Sequence, residues 1–208
     1  MQRENSIDLL HRKELLKFLL VKTAVVRCGV KPAELLRIRH CYEGVNSEGL
    51  RVCLYRRDIY ETLGLDYVEL KVEAGGSLVL FYNPPVLAAT LAEPRNRRWL
   101  ERLGYPENGT TGQMLDELCR RAQETPVPHE VGIFIGYPLK DVAGFMRRLP
   151  STPLHGGAWR IYGDVGESLA RMKIYRDAEA FASAALESAR GIADFFAMIS
   201  PNGAHQTT

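Results

Sequence analysis

The chain lacks every motif whose spacing by itself announces a reaction. It has no glycine-rich phosphate loop, no nucleophile–base pair and no close pairing of metal ligands, so no enzyme class is declared by pattern. Cysteine is scarce: Cys28, Cys41, Cys53 and Cys119 form no C-x-x-C pair. That excludes a disulfide scaffold and disfavours zinc or iron–sulfur binding, and the expectation is reduced thiols, no metal and a cytoplasmic location. Long apolar runs are missing too. The stretch from Leu15 to Val26 is broken by Lys17 and Lys22 and follows a mixed-charge segment. A membrane span needs about 20 apolar residues and a signal peptide a purely basic start, so neither is expected. Charge of one sign is not in excess. A formal net charge of +2 is too small to argue for nucleic acid, and no internal repeat is visible.

What is present suits an ordinary globular chain. With 208 residues, 46% hydrophobic and 25% charged, one buried core is expected over residues 1–200, followed by a polar, disordered tail at 201–208. Ser6 can cap a helix running to about Arg27 that Gly29 ends. Pro32 suits the first turn of a short helix through Ile38, residues 41–49 look like a loop, and 57–63 form another short helix. From Tyr67 the period changes to two. Val68, Leu70 and Val72 alternate with polar neighbours, Gly75-Gly76 turns the chain, and Ser77–Tyr82 returns as an apolar strand. Helical patterns follow at about 85–92, 95–103 and 111–123.

The segment His129–Phe145 reads as a strand, a tight exit and a helix start. Val131, Ile133 and Ile135 alternate with Gly132, Phe134 and Gly136, apolar on both sides as in a central strand. A helix from Pro138 to about Arg148 leads to a second strand at Trp159–Gly163, giving a parallel βαβ unit. Asp164 and Glu167 have capping-box spacing for the next helix, and an Ala-rich helix spans about 178–199. The expected fold class is α/β, with mixed α+β as the alternative: a single domain with a roughly four-stranded mixed sheet, the antiparallel hairpin plus one parallel βαβ unit, and about seven to nine helices.

Several of these residues resemble a known family. His129 through Pro138 match the core H-E-[IV]-G-[IL]-F-[IL]-G-Y-P of domain-of-unknown-function family number 3793, found chiefly in anaerobic bacteria. Gly29–Ala33 resembles its G-x-K-P-A segment, Gly104-Tyr-Pro106 matches a further block, and Trp159–Asp164 resembles its aromatic-x-[IV]-Y-G-D block. The likeness spans roughly residues 15–180. Many members carry a cysteine shortly before the last block, where this chain has His155-Gly-Gly157. The resemblance implies a short α/β protein and carries no activity.

On the expected fold, candidate binding residues gather at the C-terminal ends of the two parallel strands. There Tyr137, Lys140 and Asp164 converge with two helix N-termini, whose free N–H groups suit phosphate or carboxylate. His129 and Glu130 are tempting as an acid/base pair, but adjacent strand residues face opposite sides. His129 would also lie roughly 26 Å from Tyr137 at strand rise, so one site would not use both. Gly132 and Gly136 admit either a close helix or a flat ligand. Arg95, Arg97, Arg98 and Arg102 around Trp99 offer a basic face for an acidic protein, and the Ala-rich helix a face for a homodimer. The function expected is binding of a small anionic ligand or cofactor of unknown identity, or a redox-accessory role. A small-molecule enzyme and a protein interaction module are the alternatives, and no nucleic-acid or membrane partner is expected.

Overall fold

A computed structural model describes residues 6–39, 43–45, 51–53, 56–73, 76–150 and 159–200. In chain order these form α1 (Ser6–Arg27), β1 (Ala33–Arg39), β2 (Glu43–Val45), β3 (Arg51–Cys53), α2 (Arg56–Leu63), β4 (Asp66–Glu73), β5 (Gly76–Tyr82), α3 (Pro84–Ala92), α4 (Pro94–Arg102), α5 (Thr111–Glu124), α6 (Val131–Phe134), α7 (Leu139–Met146), α8 (Gly166–Ser188) and α9 (Ile192–Ile199). The main sheet has the order β1-β5-β4 and is antiparallel throughout, and β2 pairs with β3 in a small antiparallel ribbon.

β5 sits centrally and is buried on both faces. Leu78 and Leu80 enter one apolar cluster with α3, α4, α5, α6 and α7, while Val79 and Phe81 enter a second with α1, α2, α8 and α9. Period-two alternation on one strand thus separates two helical layers, a mixed α+β arrangement. Lys71, past a register shift at Leu70, faces the first layer and donates to the Thr125 carbonyl. That bulge also breaks the alternation expected for β4. Leu70 is fully buried, whereas Val72 is 59% exposed, because one extra residue flips every later side chain.

Three expectations are corrected. Residues 33–39 form an edge strand and not a helix: Pro32 starts either, and pairing along β5 from Ala33↔Tyr82 to Arg39↔Gly76 overrides the helix propensity of Glu-Leu-Leu-Arg. Residues 131–134 are helical and not a central strand, since a short, wholly apolar run fits either element. Trp159–Gly163 is not a strand, and only Ile161 makes a β-type bridge. With both partners gone, no parallel βαβ unit exists among the described residues.

Smaller differences have local causes. Part of the 41–49 segment read as loop is β2. The Ala-rich terminus is two helices, α8 starting at Gly166 and α9 at Ile192, with Ala182 and Ala185 buried in the second cluster. No capping box forms at α8. Asp164 accepts from Gly166 N at 3.1 Å, and Glu167 pairs with Arg171. No helix among the described residues is long and apolar enough to cross a membrane.

Candidate functional site

Five consecutive residues, Val131 to Ile135, are buried all round, and this sealed turn of helix places the site. Its end is set by Gly136-Tyr137-Pro138. Gly136 adopts φ +85 and donates to the Ile133 carbonyl, while Tyr137 N donates to the Gly132 carbonyl at 2.8 Å. These bonds make a Schellman motif, after which proline prevents continuation. The left-handed turn is also crowded, since a Cβ on Gly136 would lie 2.7 Å from Pro32 Cδ. Arg171 and the Tyr175 hydroxyl both donate to its carbonyl. The chain then reverses into α7. Gly132 permits this close return, because a Cβ there would lie 2.7 Å from Val142 Cγ2.

The reversal brings together residues the sequence held apart. A cavity of about 360 Å³ is lined by Glu34, Leu35, His129, Tyr137, Asp141, Phe145 and Trp159, among others. His129 and Tyr137 therefore border one hollow. The separation of roughly 26 Å expected at strand rise does not apply, since a helix advances only about 1.5 Å per residue and then turns back. Adjacent strand residues point to opposite faces, so the joint presence of Glu34 and Leu35 means that the hollow straddles the free edge of β1.

Aromatic rings form much of the wall. Tyr137 stacks on Trp159 with centroids 4.0 Å apart and planes 15° from parallel, and His129 meets Phe145 edge-on at 4.8 Å. The Tyr137 hydroxyl has no hydrogen-bond partner among the described residues. Burial, and then the nearby Glu34 carboxylate, push its pKa up to about 12 and so keep the phenol neutral. Glu34 pairs with the buried Lys31 at 2.6 Å, and Lys31 also lies 5.2 Å from the centre of the Tyr175 ring.

Asp141 is the polar anchor. Only 2% exposed, it accepts from Lys140 Nζ (2.9 Å), Trp159 Nε1 (2.9 Å), Tyr162 N (2.9 Å) and Ser168 Oγ (2.6 Å). Burial alone would raise its carboxyl, but these donors, led by Ser168, hold it below the usual carboxylate range. The bonds fasten segment 159–162 and the start of α8 to α7, and so fix the Trp159 wall. Its lone pairs are fully engaged, which leaves Asp141 a positioning group.

Other expected site residues scatter. Lys140 Nζ is drawn inward to Asp141, Ser168 Oγ and the Tyr162 carbonyl. Asp164 is exposed, turns onto Gly166 and lines neither the aromatic cavity nor the hollow at Lys140. Tyr137 and Lys140 do border one hollow, with Arg95 and Arg171 among others, but Asp164 does not join them, because the parallel strands that would have aligned all three are absent among the described residues. Glu130, 4% exposed, points away from His129 and accepts from Arg121 and the Tyr105 hydroxyl, both at 3.3 Å. Glu34, Asp141 and Ser168 were missed. Asp141 sits in a first helical turn, where an acid is ordinary, and its distant partners arrive from two segments, 159–162 and the start of α8.

A family model described as "Protein of unknown function (DUF3793)" matches residues 19–195. The chain belongs to this family. The matched region contains the sheet, every cavity-lining residue named above and most of both helical layers, leaving out the start of α1 and the end of α9. No curated protein and no solved structure matches the chain.

Two further expectations have a location. Trp99 packs against the first cluster and Arg97 donates to the Gly109 carbonyl, so part of the basic α4 face is occupied within the fold. Burial raises the thiols of Cys28 and Cys119, the direction opposite to an activated cysteine. No group of three or more His, Cys, Asp or Glu among the described residues is placed to hold a metal ion, and His40-Cys41 lies outside them.

Proposed function

We propose that this protein binds a small, partly aromatic molecule or cofactor in the cavity at the β1 edge, acting in the cytoplasm as a binding or accessory protein. One observation carries the reading. Four rings, those of His129, Tyr137, Phe145 and Trp159, border a hollow of about 360 Å³, within the range of small-ligand pockets. The polar groups suit binding. Glu34 and Asp141 are each neutralised by a lysine, and the Tyr137 hydroxyl is left to orient a ligand. A redox-accessory role would rest on the bound molecule, because the two described thiols are shifted away from reactivity.

The test uses N-phenyl-1-naphthylamine, a neutral dye that brightens in apolar sites. Wild-type protein should bind it, and Val127→Trp, which places an indole at a further residue lining the cavity, should abolish binding while circular dichroism is retained. Equal brightening in both proteins would remove the cavity from the proposal.

A second reading has one specific support: His129 and Tyr137, two groups able to move protons, share the hollow. An enzyme using them would show metabolite turnover that is lost in His129→Gln and Tyr137→Phe.

A further inference from the structure

Adjoining the aromatic cavity is a second hollow, the mouth, of about 450 Å³ lined by His129, Phe145, Arg148, Leu149, Arg160 and Tyr162, among others. The two share His129, Phe145 and Arg160. Their charges differ sharply. In the inner cavity the carboxylates are matched by Lys31 and Lys140, whereas at the mouth His129, Arg148 and Arg160 have no ion-pair partner among the described residues. The neighbouring segment 151–158 contains no Asp or Glu.

Arg148 supplies an independent observation. Arg148 N donates to the Phe145 carbonyl and Leu149 N to the Gly144 carbonyl, both at 3.0 Å, which is the Schellman closure of α7. The left-handed position falls on Arg148, at φ +54, where glycine is the unstrained residue. A long cation is therefore held in a conformation costly for it, and it lines this mouth. Strain of that kind is a pointer to function.

We propose that the ligand carries an anionic group, a phosphate, sulfonate or carboxylate, joined to its apolar body: the rings hold the body and Arg148, Arg160 and His129 receive the anion. This deepens the binding reading above and rests on it. The paired probes are N-phenyl-1-naphthylamine and 8-anilinonaphthalene-1-sulfonate, which share one aromatic body and differ in the sulfonate. Wild-type protein should bind the sulfonate at least about tenfold more tightly, a difference of about 1.4 kcal/mol. Arg148→Gly with Arg160→Gln should erase that advantage, and Arg148→Gly alone, at a residue that does not line the inner cavity, should leave the neutral dye unchanged. Arg148→Gly alone should raise the denaturation midpoint while weakening the sulfonate, so failure to fold is not confounded with loss of charge.

Equal affinity for the two dyes, each still blocked by Val127→Trp, would overturn the anionic group and keep the cavity. Binding of both dyes unaffected by Val127→Trp would overturn both readings. Inorganic phosphate at matched concentration should not displace the sulfonate. Displacement would reveal a free-anion site and overturn the joined apolar body.

Discussion

Gly-Tyr-Pro occurs twice, at 104–106 and at 136–138, and the two copies close their helices in the same way. Gly104 adopts φ +91 and Gly136 φ +85. Each tyrosine N–H reaches back five residues, Tyr105 to Leu100 at 3.1 Å and Tyr137 to Gly132 at 2.8 Å. Their surroundings then diverge. Tyr105 is buried, donates to Glu130, lies under the Arg121 guanidinium and leans on Phe134. Tyr137 is half-buried, stacks on Trp159 and borders the cavity. One tripeptide therefore supplies a single turn in two settings, the first tying the α5–α6 region together and the second forming part of a cavity wall.

The sharpest way to break this comparison is at the glycines. Gly136→Ala should cost about 3 kcal/mol or more, since left-handed strain adds to a clash with Pro32 and Tyr175. Gly104→Ala meets only the movable Arg121 guanidinium at 3.3 Å and should cost about 1 kcal/mol. Urea denaturation midpoints would decide, and equal losses would mean that crowding around the second turn is unimportant.

Asp141→Asn should come next, at about 2–3 kcal/mol near neutral pH, because buried donors lose a charged acceptor. The sign with pH follows from the depressed folded-state carboxyl. Its stabilisation is complete above the ordinary value of 3.8 and fades as pH falls through that region. Wild type and variant should therefore converge in acid, as thermal unfolding between pH 7 and pH 3 would show.

The two hydroxyls give a finer contrast. Tyr105→Phe removes a buried bond to Glu130 and should cost about 1 kcal/mol. Tyr137→Phe should change stability by less than about 0.5 kcal/mol but alter dye affinity. A reversed order in chemical denaturation would exchange the structural and binding roles assigned here.

The smallest effect is alkaline. Tyr137 favours the neutral phenol when folded, so its contribution is intact below the ordinary value of 10 and is lost as pH rises toward about 12. Phenolate absorbance of wild type against Tyr137→Phe should show one tyrosine titrating late.

Much of the fold was legible where one local signal dominates. The hairpin of β4 and β5 followed from alternation around Gly75-Gly76, and α3, α4 and α5 from helical patterns at about 85–92, 95–103 and 111–123. A capping box not read from the sequence, between Thr110 and Gln113, starts α5. The errors fell where a run was apolar on every side. Val131–Ile135 looked like a central strand, although Gly136-Tyr-Pro138 repeats the helix-ending grammar of Gly104-Tyr-Pro106, the one local clue that identifies it. Leu35 and Leu36 belong to opposite faces of a sheet whose partner strand lies more than 40 residues away.

The site was less legible than the fold. Tyr137 and His129 were named, but as members of separate places. Glu34, Asp141, Trp159 and Arg160 meet them only through the edge of β1, the return of α7 and the fastening of segment 159–162. Chain-local chemistry determined the turns, caps and buried periodicities, because those depend on neighbours within about five residues. Tertiary packing alone decided which element the apolar runs became, which tyrosine faced a cavity and which charges stayed unmatched, because each depends on groups from remote parts of the chain sharing one low-dielectric space.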